Sequence, residues 1–433
     1  MFKFVASRFA IPLFAILVLS TVGYGQDDQE TSLTAQADRC RKLLKESLID
    51  FYLPASMDKE NGGYYQALGD DGKFKADNEK FLTFQARQVW FFSNMANNQV
   101  DRMRCSAMAE HGYGLLQNQF FDKANGGYFL KIKNRVASDD RKHVYPLSFV
   151  VYSLVELHRI TGNKTVLEQA MNLFDLIEKN CHDDDNGGYY ELYTADWKKI
   201  TDTNQWGVVS AVGFKTYNSH LHLLEAYTQL YLATKDKRVA MRLEELIGIC
   251  TKTIRHPDLA TNVDAWTVQW KMVETEKNMR TSYGHDLECA WLVLAAAEAI
   301  GKRNEELEKW AIEICDNAIK FGHDQKNGGF FYTGPVGKPS DDRKKEWWTQ
   351  SEALVGVLTC YQITGDQKYL TLFNRTLDFI EKNHVSDLGG WYATRREDGS
   401  LGDNKSRSSM WQGAYHNGRA LMMVETMLRD LAR

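Results

Sequence analysis

One short turn recurs along the chain and limits what it can fold into. "NGGYY" stands at 61–65, "NGGYF" at 125–129, "NGGYY" at 186–190, "NGGFF" at 327–331 and "LGGWY" at 388–392. In the first four copies an Asp precedes the Asn by three residues: Asp58, Asp122, Asp183 and Asp324. Asn61 to Asn125 is 64 residues, Asn125 to Asn186 is 61, and Asn327 to Leu388 is 61. The gap from Asn186 to Asn327 is 141, about twice the others, and "HPDLATNVDAWTVQW" at 256–270 reads as the decayed copy inside it. A self-similar period of this size marks stacked repeats, here six units of roughly 60–70 residues.

Each unit has one internal order. A Gly-Gly turn enters a short alternating stretch such as "GGYYQALGDDGKFK", whose "GDDG" tolerates positive φ and predicts a β-hairpin. Two amphipathic runs follow, such as "KFLTFQARQVWFFSNMAN" and "RCSAMAEHGYGLLQNQFF", with apolar residues at i, i+3, i+4 and i+7. Six helical pairs must stack to bury their faces, and closing them into a ring removes the ends. The expected fold is all-α: an (α/α)6 barrel of six helical hairpins with short β-hairpins on one face, in one domain over 26–433. Only six prolines suit long helices. The Asn-Gly-Gly turns are then scaffold, and the informative residues lie just after the hairpins, where inner helices begin and line the mouth.

Net charge is −4 with no basic stripe, which argues against nucleic acid as a partner. The aromatic content of 12% suits a thick core or a sugar-binding cavity. "MFKFVASRFAIPLFAILVLSTVGYG" has Lys3 and Arg8, an apolar stretch and small residues, the pattern of a signal peptide over 1–25 cut near Gly25. The apolar run is short for a spanning helix, and an uncleaved anchor is the alternative reading. The expectation is an exported protein, periplasmic or secreted, without stable membrane association, and a monomer or weak homodimer. The seven cysteines are widely spaced, form no C-x-x-C, and mostly lie in apolar helical runs. That sits awkwardly with export.

Reading one inner-helix start per unit yields a distinctive list. Arg87 lies in "FQARQVW", Tyr145 in "HVYPLSF", and Asn218, His220, His222 and Glu225 in "YNSHLHLLEAY". His285, Asp286 and Glu288 lie in "SYGHDLECAW", Trp347, Trp348 and Glu352 in "EWWTQSEAL", and Trp411, His416, Asn417 and Arg419 in "MWQGAYHNGRAL". Asn218 and His222, His285 and Glu288, and Trp348 and Glu352 are three or four apart, so each pair shares a helix face. A carboxylate one turn from a histidine can fix its tautomer, which is the expectation for Glu288 and His285. His220 and His222 are two apart, so at most one faces the cavity.

There is no nucleophile elbow, phosphate loop or H-E-x-x-H, so neither a cofactor nor a metal is expected. What remains is a cavity with histidines, an arginine, carboxylates and tryptophans. Trp faces stack on sugar rings. Two histidines on opposite walls could take a proton from a carbon α to a carbonyl and return it on the other face. Arg87 could stabilise the enediolate between the two steps.

"QARQVW", "NSHLHLLEAY", "YGHDLECAW", "WWTQSEAL" and "YHNGRA", in that order from about residue 38 to the end, resemble the N-acylglucosamine 2-epimerase superfamily, most of all its cellobiose 2-epimerase branch. The resemblance implies an (α/α)6 barrel and cofactor-free inversion at C2 of a reducing-end aldose. It places acid/base histidines at His285 and His416, the enediolate-holding arginine at Arg87 and a supporting carboxylate at Glu288. Substrate contacts fall on Tyr145, Asn218, His222, Trp348, Glu352 and Trp411. "NSHLHLLEAY" is similar to the disaccharide branch, apart from Ser219 where Thr is more usual. The leader departs from a typically cytoplasmic family.

The substrate expected is therefore a small sugar, mono- or disaccharide, of the cellobiose or mannobiose type. Within the family the alternatives are an N-acyl sugar or mannose/glucose epimerase, or an aldose–ketose isomerase. Outside it stand an inverting glycoside hydrolase using Glu288 and Glu352, and a non-catalytic sugar-binding protein.

Overall fold

The computed structural model describes residues 23–433 apart from 70, 77–78, 203–206 and 209–211, with side chains from residue 32 onward. The leader read over 1–25 lies outside these residues except for its last three, which open the first helix. Among the described residues there are twelve long helices. They are α1 (Gly23–Leu43, running on through a π-turn at Leu44–Ile49 to Tyr52), α2 (Leu82–Asn97), α3 (Arg102–Leu115) and α4 (Val144–Thr161). Next come α5 (Lys164–Cys181), α6 (Tyr217–Thr234), α7 (Lys237–Gly248) and α8 (Tyr283–Ala299). The last four are α9 (Glu305–Gly322), α10 (Trp347–Thr364), α11 (Gln367–Phe379) and α12 (Tyr415–Leu431).

The even-numbered helices form a closed inner ring, each touching the next and α12 returning to α2. Their sequences explain the position. In α2 nearly every side chain from Leu82 to Ala96 is buried, and α8 is likewise covered all round. The odd-numbered helices bury one stripe, such as Val239, Leu243 and Leu246 of α7, and stand outside. Each outer helix leans on the inner helix before it, except α1, which packs on α12 and closes the barrel. Returns from inner to outer helix are tight. Gly162, Lys235 and Gly365 are left-handed (φ 66°, 54° and 68°), and the next residue, Asn163, Asp236 or Asp366, caps the outer helix with its side chain.

The repeated turn is scaffold, and its parts can be assigned. Both glycines are left-handed in each of the five copies. A Cβ on Gly63 would lie 2.3 Å from Leu115 and 2.5 Å from Gln85 Oε1. The preceding Asp closes the loop: Asp58 Oδ1 accepts the Asn61 N–H at 2.9 Å. Its other oxygen meets a buried lysine on the short strand that enters the inner helix. The pairs are Lys80–Asp58 at 2.9 Å, Lys142–Asp122 and Lys215–Asp183 at 2.7 Å, and Lys345–Asp324 at 2.8 Å. An inner-helix side chain also reaches the turn, as when Gln85 Oε1 accepts from Tyr64 N and Gln350 Oε1 from Phe330 N.

The strands differ from six self-contained hairpins. Hairpins with named strands occur in unit one (Ala67–Leu68 with Phe74–Lys75) and unit two (Lys131–Lys133 with Val136–Asp139). Among the described residues, units three to six keep only single bridges, such as Tyr193 with Lys199. The other pairings join neighbouring units: Glu79–Phe81 with Lys131–Lys133, Lys142–His143 with Leu192–Tyr193, and Lys215–Thr216 with Ala265–Trp266. Arg280–Ser282 with Thr333–Pro335 and Lys345–Glu346 with Thr394–Arg395 continue the series. The strand entering one inner helix and the strand leaving the next turn arrive at the same face, so they satisfy each other's backbone. All seven cysteines are buried and unpaired, and no described helix is long and apolar enough to cross a membrane.

Candidate active site

The starts of the inner helices converge on one end of the barrel. Arg87 of α2 is 4% exposed. Its guanidinium lies 4.2 Å from the Phe149 ring and 4.6 Å from the Tyr415 ring. Nη2 donates to the Tyr145 hydroxyl at 2.7 Å, and Nη1 reaches the Trp411 carbonyl at 3.5 Å. No carboxylate pairs with it among the described residues, and its Nε has no partner. A buried cation held by aromatic faces and without a counter-ion is prepared for an anion that arrives later.

His285 and His416 flank one indole. The Trp348 ring is 4.8 Å from His285 and 5.6 Å from His416. Burial depresses His285 to about 3, with the positive charge around His222 and Arg87 adding to the effect. Burial, then Arg87 and Arg419, hold His416 well below the usual imidazole range. Both rings are therefore neutral near pH 7. His416 Nδ1 lies 2.7 Å from Glu352 Oε1. That oxygen also accepts from Arg419 Nη2 at 2.8 Å, so Nδ1 carries the hydrogen and Nε2 keeps the lone pair.

Beneath the pair lies a network that the sequence reading did not assemble. Arg419 of α12 donates to Glu225, Glu288 and Glu352, carboxylates from α6, α8 and α10. Tyr415 hydrogen-bonds Glu225, and His222 Nδ1 lies 3.0 Å from the same Glu225. Burial works to raise Glu225, but Arg419, His222 and Tyr415 outweigh it and hold it at about 2. Burial pushes Glu288 up to about 7, helped by the charge of Glu352 and opposed by Arg419. Glu352 also rises to about 7 by burial, against Arg419. The donors decide where a shared proton rests. Both oxygens of Glu352 accept, from His416 and Arg419 on one and Trp291 at 3.3 Å on the other. Glu288 Oε2 is buried with no partner, so Glu288 is the better place for a proton that the pair shares.

The expected residues are thus brought together, with two revisions, to Glu288 and to Glu352, which was expected to touch the sugar but is fully buried against His416, Arg419 and Trp291. Glu288 does not orient His285. It bonds Arg419 and stands 3.9 Å from His416, while the carboxylate that holds an imidazole is Glu352. His285 makes no side-chain hydrogen bond to a described residue and is half-buried. Of His220 and His222, His222 faces the site, with its ring 5.2 Å from Tyr145. His220 is structural: Nε2 accepts from Tyr189 N at 2.9 Å, so Nδ1 donates to the Thr216 carbonyl. Asp286 likewise turns outward, accepting from Thr261 Oγ1 and Asn262 N in the decayed turn. Asn218 opens α6 with its Oδ1 unpartnered, and Trp411 meets Phe81 edge-on at 4.9 Å.

The sequence contained signals for the missing parts, since Arg419 follows His416 by three and Glu225 follows His222 by three. Both were on the mouth list without a role, and only the fold shows that they touch. Two groupings, His222–Glu225–Glu288 and Glu288–Glu352–His416, have donor atoms close enough for a metal. Arg419 already donates into both, so an incoming cation would meet a guanidinium.

The description N-acylglucosamine 2-epimerase (GlcNAc 2-epimerase) belongs to the family model that matches residues 63–420. A cellobiose 2-epimerase of Bacteroides fragilis is 30% identical over 391 residues, covering 89% of this chain and 97% of its own. The solved cellobiose 2-epimerase of Bacillus thermoamylovorans superposes with a TM-score of 0.82 at 29% identity, over 91% of this chain and 99% of that one. That of Spirochaeta thermophila gives 0.85 at 26% identity, over 93% and 99%.

Proposed function

This chain belongs to the N-acylglucosamine 2-epimerase family and is a carbohydrate 2-epimerase, and from that premise we propose that it inverts C2 of the reducing-end aldose of a β-1,4-linked disaccharide, of the cellobiose or mannobiose type, without a cofactor. The observation that carries the reading is the pair of imidazoles, His285 and His416, on one indole, with the unpaired Arg87 guanidinium at the same end of the barrel.

One imidazole takes the C2 proton of the open-chain sugar. The electron pair moves into the C1–C2 bond and negative charge develops on the carbonyl oxygen. Arg87, already desolvated and lacking a carboxylate, stabilises that enediolate. The other histidine, entering the step as imidazolium with a proton taken up at the mouth, delivers that proton to the opposite face of C2 and is left neutral, while the first is left protonated. No atom is gained or lost, and the proton states return to rest by exchange at the mouth. Glu352 supports His416 as imidazolium, and Glu288 Oε1 stands 3.9 Å from the same ring nitrogen. Trp348, Trp411, Tyr145, Asn218 and His222 supply the walls and hydrogen bonds that hold the sugar.

The disaccharide choice rests on the named relatives and on the "NSHLHLLEAY" motif. A hydrolase reading fits the geometry poorly. Glu288 and Glu352 share one Arg419 nitrogen, so they stand on one wall and cannot flank a glycosidic bond at the separation of about 6.5–9.5 Å that an inverting hydrolase needs. Incubation with cellobiose, mannobiose, mannose and N-acetylglucosamine, with product identification, tests the proposal. The C2 epimer of a disaccharide is expected. Monosaccharide release, a ketose, or turnover of the N-acyl sugar alone would overturn it. We also place the enzyme outside the cytoplasm on the strength of the leader at 1–25. N-terminal sequencing of native protein should begin near Gln26, and an intact Met1 would refute this.

A further inference from the structure

Each turn delivers one residue to the mouth at an equivalent place, two after the bridge residue that follows the glycines. Its carbonyl accepts the first N–H of the preceding inner helix. Leu130 takes Leu82 N, Glu191 takes Val144 N, Asp264 takes Tyr217 N and Ala393 takes Trp347 N, at 2.8–3.0 Å. The side chain at that place therefore stands beside the start of an inner helix. The same position holds Gln66 in unit one and Tyr332 in unit five.

Most of these side chains are apolar or already engaged. Glu191 Oε1 accepts from the backbone and hydroxyl of Thr216, both at 2.7 Å, and its Oε2 lies 3.6 Å from His143 Nε2. Gln66 donates to the Glu79 carbonyl and accepts from Phe81 N. Asp264 differs. Its Oδ1 accepts from Asn218 N at 3.2 Å, while its Oδ2 bonds no described residue. The residue is only half-buried by surface, yet its enclosure by protein pushes the carboxyl up to about 6. It is close enough to Tyr332 and Glu191 for its charge to raise both. Tyr332 meets Trp348 edge-on at 6.1 Å, and Trp348 is the indole between the two histidines. Trp348 thus joins the histidine pair to Tyr332, and Asp264 lies near that tyrosine. Asn218, whose side-chain Oδ1 is also unpartnered, stands next to Asp264 on α6.

We propose that Asp264 is a specificity-determining residue that binds the second sugar ring of a disaccharide, its Oδ2 accepting hydroxyl hydrogens of that ring beside the Tyr332 face. A neutral sugar presents O–H donors, and a carboxylate is the acceptor that binds them most strongly. This rests on the disaccharide reading above. The competing role is purely structural, with Asp264 capping the start of α6 through Asn218 N–H.

Asp264→Asn keeps an acceptor for that N–H and removes the charge, and Asp264→Ala removes both. Intact protein is assayed for kcat and KM on cellobiose. C2–H exchange of glucose in D₂O is measured alongside, because it reads slow turnover on a single ring. The cellobiose KM is expected to rise about 10- to 100-fold in Asp264→Ala, the scale of a charged hydrogen bond. It should rise less in Asp264→Asn, with kcat within about threefold in both and glucose exchange within about twofold. Equal losses on both sugars, or none on either, would overturn the inference and leave the epimerase reading standing. Unmodified protein that acts on glucose but on neither cellobiose nor mannobiose would overturn the disaccharide reading, and this inference with it.

Discussion

His416 Nδ1 and Glu352 Oε1 lie 2.7 Å apart, joining the first turn of the last inner helix to the second turn of its neighbour. The contact fixes which nitrogen of His416 is free and provides for the charge that nitrogen gains on taking a proton. Glu352→Gln keeps the shape and removes the charge. We expect kcat to fall about 100-fold, the scale of one general acid/base group, with KM within a few-fold. An unchanged kcat would show that His416 works without this carboxylate.

Replacing either histidine should separate exchange from inversion. His285→Asn and His416→Asn should each lower epimerisation by at least about 100-fold. A variant that retains one base should still wash deuterium from D₂O into C2 of one epimer without inverting it, and the two variants should prefer opposite epimers. Near-normal epimerisation by both, or no C2 exchange in unmodified protein, would rule out a two-histidine mechanism.

The buried Lys–Asp pairs of the turns belong to stability, not catalysis. Lys215→Met leaves Asp183 without its partner just beneath the surface, at an expected cost of about 3 kcal/mol in denaturant unfolding. Adding Asp183→Asn should recover part of that loss, and kcat at 25 °C should stay near the unmodified value in both. A larger loss in the double variant would mean that the lysine matters for something other than its ion pair.

Stability against pH follows from two opposed groups. Burial holds His143, His285 and His384 at about 3 and His220 and His323 at about 4, against about 6.5 unfolded. The unfolded chain binds those protons first, so this contribution is whole above pH 6.5 and is lost as pH falls. Glu191, Glu288, Glu352 and Asp286 rise by burial to about 7 and Asp264 to about 6. The folded state binds those protons first, so their contribution is greatest in acid and is lost as pH rises toward 7. The two sets oppose each other over about pH 4.5–6.5. Below that window the carboxylates are protonated in both states. The histidine loss then continues, joined by Asp183, Asp324, Glu225 and Glu245, which their partners hold at about 2 against burial. Thermal scans should give a Tm nearly level from about pH 7 to 5 and a steep fall below about pH 4. A steady decline starting at pH 7 would show that the buried carboxylates are ionised more easily than this.

Extensive chelation should leave activity unchanged, because Arg419 already donates to the carboxylates that could otherwise hold a divalent ion. Loss on chelation, restored by adding a divalent cation, would refute this.

The ring and its units were legible because the turn that starts five of the six needs two left-handed residues, and only glycine supplies them freely. The decayed copy at 256–270 could be found from spacing alone, and it holds the same place in the fold. What could not be read were partnerships between units. The Asp of each turn was visible, but its lysine lies 20 to 32 residues later on another strand. Helix periodicity placed Glu288 beside His285, and Arg419 from the opposite end of the chain drew it elsewhere. The choice between His220 and His222 likewise needed the Tyr189 backbone, which the ring brings to His220. Asp264 was overlooked because its unit had lost the glycines that drew attention to the others.

The pairing of α1 with α12 makes the order of synthesis matter. The apolar stripe of α1, with Leu33, Ala37, Cys40 and Leu44 all buried in the finished molecule, leaves a ribosome before every inner helix. The surface that covers it belongs to α12 and follows after the other eleven helices. Until then the growing chain is an open arc with an adhesive edge at its leading end, which neighbouring chains or a chaperone could occupy. His416 and Arg419 travel on that last helix, so a nascent chain acquires its chemistry only in the step that shuts the arc.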